Sequence, residues 1–350
     1  MKNQSKIKSN RNPYISYLRG LAILAIITIH LVDWSGAELS SFGKAGQEWL
    51  YLGLIFFVAL AGSVVFIAYA RNTNSPQVGW RLVGHGLKLI GIYYAYNLIK
   101  LWVFNFDTEP FYWQFSEKGW LDLGHVLTLK SFTVPISILL TIGAYLIISP
   151  LFIYLVQRVK YSRITIAITL LLVVLLNYGV TWPHNMFTDF LWARSNIMFP
   201  LALWLIPYLA GFYLAMWGFE KYAGKLFIGL AGLATLIYLV WQTGPSPWSF
   251  NWHIYPLNLY AIVAGFAVML GLVWLLKIIK LIKSSIVKWI LGVLQVLGDA
   301  SLFIYVAHWV VIDLTYWLLP CDHMLIWTTV PLAVIVWLFG RIKRLDRNSY

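Results

Sequence analysis

Ten apolar runs, each long enough to cross a bilayer, leave this chain little freedom of fold. They cover 14–34, 49–70, 82–104, 134–156, 164–180, 197–219, 226–242, 254–276, 300–319 and 324–340. Backbone groups in hydrocarbon must be bonded within their own segment or in a closed barrel. Barrel strands would alternate in polarity over about ten residues. These runs are continuous over roughly 20, the length of a spanning helix. Composition agrees: 60% of residues are apolar and 11% charged, against about 25% charged in a soluble domain. A soluble enzyme, a disordered chain and a collagenous fibre are excluded. The prediction is an all-α polytopic membrane protein of about ten transmembrane helices, one domain over 1–350, with no repeat or soluble linker.

The basic residues orient it. With both termini cytoplasmic, the inner side holds 21 of the 26 Lys and Arg, including the tails at 1–13 and 341–350; the outer side holds Lys44, Lys100, Lys118, Lys130 and Arg194. That asymmetry is the positive-inside pattern. The net charge of +13 therefore reports topology and contact with an anionic leaflet of the lipid bilayer, and no nucleic-acid footprint. Ten of the 13 Asp and Glu fall toward the outside. The first run, with its basic lead, reads as an uncleaved signal anchor. A single cysteine, Cys321, leaves no intrachain disulfide.

The stretch 286–319 is too long for one span and too short for two. Ser285, Lys288, Gly292, Gln295 and Asp299 recur at steps of three and four, one polar stripe on an otherwise apolar helix. The expectation is a helix at 285–297 lying in the cytoplasmic interface and feeding the ninth span; one continuous, tilted helix is the alternative. The outer connections at 105–133, 178–196 and 243–253 are long and aromatic. Such rings suit a belt at headgroup level or a platform for sugar faces.

Ionisable groups inside spans are costly and mark function by default. Arg19 and His30 stand eleven residues apart in the first span, close to three full turns, so both emerge from one face about 16 Å apart. Arg19 at the cytoplasmic mouth suits a phosphate, and His30 deeper in suits a base. A long donor such as acyl-coenzyme A fits between them in a tunnel. A second intramembrane histidine, His308, has Tyr305 one turn earlier on the same face; it could bind substrate, assist the base or bond another helix. His85, near Arg81 and Lys88, could complete a phosphate-binding cluster or be interfacial only. His125, His184, His253 and His323 lie in outer connections. No zinc-ligand spacing or Gly-rich phosphate loop occurs, so no metal site is expected.

The residues from Arg19-Gly20-Leu21-Ala22-Ile23 to His30 resemble the opening helix of the acyltransferase-3 superfamily of integral-membrane acyltransferases. Phe56-Phe57-Val58-Ala59-Leu60-Ala61-Gly62 is similar to its second helix, with Ala61-Gly62-Ser63 where many members have Ser-Gly-Phe. Leu297-Gly298-Asp299-Ala300-Ser301-Leu302 with Tyr305 and His308 looks like its late helix. The departure at Ala61, with Ile138-Leu139-Leu140-Thr141-Ile142-Gly143 and Phe199-Pro200-Leu201-Ala202-Leu203-Trp204, is nearest the heparan-α-glucosaminide N-acetyltransferase-like branch. The resemblance implies transfer of an acyl group, usually acetyl, from cytoplasmic acyl-coenzyme A (acetyl-CoA) to a hydroxyl or amine of a sugar or glycan acceptor. His30 and Arg19 match the superfamily's catalytic histidine and arginine. No permanently bound cofactor is implied, and the expected location is a bacterial cytoplasmic (inner) membrane.

Three other readings remain on the sequence alone. A transporter or flippase would line a path with the same polar residues. A b-type haem protein would use His30 and His308 as axial ligands. A sensor or scaffold is the third.

Overall fold

The computed structural model describes residues 12–34, 41–70, 76–104, 136–183, 199–241 and 257–318, with Thr188, Leu191, Trp192 and Ala333. Its helices are α1 (Pro13–Trp34), α2 (Ser41–Val65), α3 (Pro76–Phe104), α4 (Ser137–Arg158), α5 (Ser162–Gly179), α6 (Leu201–Trp217), α7 (Phe219–Trp241), α8 (Leu259–Ile279), α9 (Ser285–Asp299) and α10 (Ser301–Leu318). A π-helical turn, Phe66–Ala70, closes α2. No strand occurs among the described residues. Nine of the ten expected spans coincide with helices; the run 324–340 apart from Ala333, the tails apart from Asn12 and Pro13, and all or most of the long outer connections lie outside the described residues.

Among the described residues, α1, α2, α4, α5, α7 and α8 are each long and apolar enough to cross a membrane, and the pair α9–α10 would add a seventh if counted as one broken span. The chain is thus an all-α, multi-pass membrane protein. Apolar side chains on the outermost helices agree: Ile168, Leu171 and Leu175 on α5, and Ile228, Leu236 and Leu239 on α7, are exposed, which hydrocarbon tolerates and water would not.

Helix ends follow local chemistry. Asn258 caps α8 by accepting from the Ala261 N–H, and Ser284 caps α9 by accepting from Ile286, each satisfying a donor that the helix leaves over. Gly218, at φ 63°, takes the left-handed conformation that lets α6 turn at once into α7. The expected break in 286–319 is present: α9 and α10 meet at 78°. Leu291, Leu294 and Leu297 of α9 are buried, whereas Ile286, Trp289 and Ile290 face outward.

Helices that cannot gain from hydrophobic burial in lipid associate through close packing at small residues, and three crossings do so here. A Cβ on Gly20 would lie 2.2 Å from the Leu294 carbonyl oxygen, and one on Gly298 1.7 Å from that of Ser16, which draws α9 onto α1. Gly62 and Gly211 bring α2 onto α6, with a Cβ on Gly211 falling 1.9 Å from the Ala59 oxygen; Ser63 Oγ adds a 2.8 Å bond to the Gly211 carbonyl. Gly86 and Gly143 do the same for α3 on α4. These crossings fix the backbone around the site.

Candidate active site

Arg19 and His30 both reach α10 from α1, as their spacing requires. Arg19 Nη2 donates to Ser301 Oγ at 2.7 Å, at the first residue of α10. Eleven residues on, the His30 ring stacks on that of His308, centroids 5.5 Å apart and planes at 21°, and lies 4.3 Å from the Trp309 ring. The hinge between α9 and α10 is tied to α1 at the same level: Ser16 Oγ donates to Asp299 at 2.9 Å. Two side-chain bonds and two glycine crossings therefore set the height of α10 against α1, and with it which residues meet.

Arg19 also lines a cavity of about 310 Å³, enclosed by α1, α2, α3, α4 and α10. That size falls at the lower end of ligand pockets, about 300–1,000 Å³. Its wall includes His85 and Lys88 from α3, Tyr69 from the π-helical turn, and Phe57 and Leu302. Single π turns inside helices occur often at functional sites. Three groups able to carry positive charge thus converge on one mostly apolar chamber at the lysine-rich end of the bundle. Arg81, one turn before His85, is exposed and does not line it.

His30 does not border this cavity, so the open tunnel expected between Arg19 and His30 is not what the structure holds. Rings occupy the interval instead. Phe57, in the cavity wall, stacks on Tyr305 at 5.9 Å; Tyr305 contacts His308 at 5.2 Å; His308 stacks on His30. The physical reason is the periodicity of α10: Leu302, Tyr305, Trp309 and His308 share one broad face, and bulky rings at each turn fill what smaller side chains would leave open. His308 is 1% exposed, and neither of its ring nitrogens has a hydrogen-bond partner among the described residues. A buried, unsatisfied imidazole is a rarity that calls for a ligand or a chemical role.

The acyltransferase-domain family matches residues 12–340. The chain belongs to the acyltransferase-3 family. It is therefore an acyltransferase embedded in a lipid bilayer, with a donor and an acceptor to bring together. No curated protein matches it in sequence. Membership makes the convergence on α10 intelligible, since Ser301, Tyr305 and His308 all lie in the late segment whose resemblance to the superfamily is legible in sequence.

Some site residues escape the sequence reading. Ser301, the Arg19 partner, stands inside the quoted late motif with no role attached, and Trp309, against His30, follows directly on His308. Asp313 is the clearer miss. Counted with the outer acids, it is in fact 6% exposed within α10 and accepts a hydrogen bond from Tyr96 of α3. The signal was present: a carboxylate in the apolar run Val310-Val311-Ile312-Asp313-Leu314 falls under the same rule that singled out His30.

Proposed function

We propose that this acyltransferase moves an acyl group, acetyl in the first instance, from cytoplasmic acyl-coenzyme A to a hydroxyl or amine of a sugar-containing acceptor, with His30 as general base. The observation that carries the reading is the cavity shared by Arg19, His85 and Lys88, whose wall continues through touching rings to His30. Phosphates of a coenzyme A attract such a basic set, and the thioester arm then points along the rings toward the histidines. For the arm to reach His30, the Phe57 and Tyr305 side chains rotate aside.

In the proposed step His30 takes the proton from the acceptor hydroxyl or amine, whose oxygen or nitrogen bonds to the thioester carbonyl carbon. The tetrahedral oxyanion collapses, the C–S bond breaks, and the proton on His30 passes to the departing coenzyme A sulfur. His308, with two unspent ring nitrogens, supports the role of oxyanion donor. Ala61 in the cavity wall, where many members carry Ser, supports a place near the heparan-α-glucosaminide N-acetyltransferase-like branch. The distribution of Lys and Arg supports an orientation with both ends inside, and a bacterial cytoplasmic membrane is the location proposed with it.

The test is transfer of label from acetyl-coenzyme A in membranes carrying the protein. His30→Ala is expected to abolish transfer while leaving donor binding intact. Undiminished transfer removes His30 from the chemistry, and release of no coenzyme A by the unaltered protein favours a transport function instead.

A further inference from the structure

Beyond the cavity, a polar pair joins α3 to α10. On α3 the wall residues Leu82, His85, Leu89 and Ile92 follow one helical stripe, and the next residue on it, four beyond Ile92, is Tyr96. On α10 the stripe runs from Leu302 through Tyr305 and Trp309, and four residues further comes Asp313. The two stripes meet where Tyr96 donates its hydroxyl proton to the Asp313 carboxylate. α3 packs mainly on α4 and only sparsely on α10, so the pair ties together two helices whose backbones otherwise stay apart. Asp313 lies twelve residues above Ser301, about 18 Å along the helix. Since His308 stacks on His30, Asp313, five residues beyond His308, stands about 7.5 Å further along α10 than the base, on the side away from Ser301. Beside Tyr96, Asn97 is fully buried with its Oδ1 unpartnered among the described residues.

We infer that Tyr96 and Asp313 form the acceptor-side contact of the site: a latch that exchanges its own hydrogen bond for the hydroxyl or amine protons of a sugar entering from the side opposite the lysines. This rests on the acyl-transfer reading and names where the acceptor is held. A carboxylate is an acceptor of hydrogen bonds only, so its ligand must donate, as polyhydroxylated or amino sugars do. An ionised carboxylate at membrane depth is retained only with partners, and the phenol supplies one in the resting state.

The test uses the full-length protein in lipid nanodiscs, with labelled acetyl-coenzyme A and either D-glucosamine or D-glucose as probe. The two sugars separate an amine from a hydroxyl nucleophile. Asp313→Asn and Tyr96→Phe are expected to raise the KM for the sugar about tenfold or more, the loss typical of a hydrogen bond to a charged group. The KM for acetyl-coenzyme A should stay within about twofold, because uniform damage to the fold would move both. Should Asp313→Asn fail to fold, Tyr96→Phe, which keeps the ring and its packing, carries the measurement. An unchanged sugar KM in a folded variant, or a rise confined to acetyl-coenzyme A, overturns the latch. Unaltered protein that binds acetyl-coenzyme A yet transfers to neither sugar overturns it as a sugar contact and leaves the donor cavity standing. Failure to bind acetyl-coenzyme A removes the donor reading, and the latch with it.

Discussion

Replacing Gly298 by Ala tests whether the α1–α9 crossing positions the site. The added Cβ would lie 1.7 Å from the Ser16 carbonyl oxygen and 2.6 Å from its carbon, where ordinary contact begins near 3.4 Å. Both obstacles are backbone, so no side chain can swing away, and the helices must part by about 1.7 Å at that point (3.4 minus 1.7). Asp299 is the next residue, and its bond from Ser16 at 2.9 Å would not survive the shift. The Arg19–Ser301 bond at 2.7 Å, three residues along, would stretch beyond hydrogen-bonding range. Overpacking costs about 1–3 kcal/mol, and a hydrogen bond to a charged group about 1.5–3 kcal/mol, so stability should fall by about 3 kcal/mol. A displacement of about 1 Å away from the chemistry can reduce turnover by about 100-fold. Gly292→Ala is the matched control. It lies on the same helix with nothing within 4 Å of the new Cβ, and Ala is favoured over Gly inside a helix by about 1 kcal/mol. Thermal unfolding in detergent and acetyl-transfer rates should separate the two variants in opposite directions. Gly298→Ala behaving like Gly292→Ala would refute the claim that this contact holds α10 against α1.

Lys88→Gln and His85→Ala should each raise the KM for acetyl-coenzyme A several-fold and leave that for the sugar unchanged, since both line the basic cavity; Arg81→Gln, exposed and outside it, serves as the control, and steady-state kinetics decides. Ser63→Ala removes one hydroxyl bonded to two carbonyls, Ala59 and Gly211. It should lower the melting stability by about 1 kcal/mol with little change in either KM, because the residue packs α2 on α6 and touches no cavity.

The spans were readable because lipid leaves one solution for a continuous apolar run, and the π turn and the helix ends shift those boundaries by only a few residues. The pairing of Arg19 with His30 was readable too, since helical periodicity alone places both on one face. What they meet was not. Which residue of α10 lies opposite His30 depends on how far α9 slides along α1, and that register is set by Gly20 and Gly298, whose importance shows only once a second backbone is in place. The bend between α9 and α10 was visible in the polar stripe, but not that it would carry Ser301 to Arg19. Phe57 looked like ordinary apolar surface, and Tyr305 like a companion of His308; their role as a partition follows from their neighbours. Asp313 was missed for a different reason: it was counted with the acids toward the outside although it stands within the run 300–319.

The glycine crossings also divide the site into a fixed and an adjustable wall. One wall, α1 with α2, α9 and α10, is held by two backbone-to-backbone contacts at Gly20 and Gly298, and by side-chain bonds at Asp299 and Ser301. The opposing wall, α3, is held almost wholly through α4, where a Cβ on Gly86 would lie 2.5 Å from the Gly143 oxygen. Interfaces packed this tightly rotate as units more easily than they deform. The spacing between α3 and α10 is therefore governed by how the α3–α4 pair leans toward α10, and the bond from Tyr96 to Asp313 ties the two helices together. Breaking that bond from within, by an acceptor that offers its own protons, loosens the wall at the point where the acceptor must enter. Breaking it by mutation should leave the donor end intact, because His85 and Lys88 flank the α3–α4 crossing at Gly86 and Arg19 is held by Ser301.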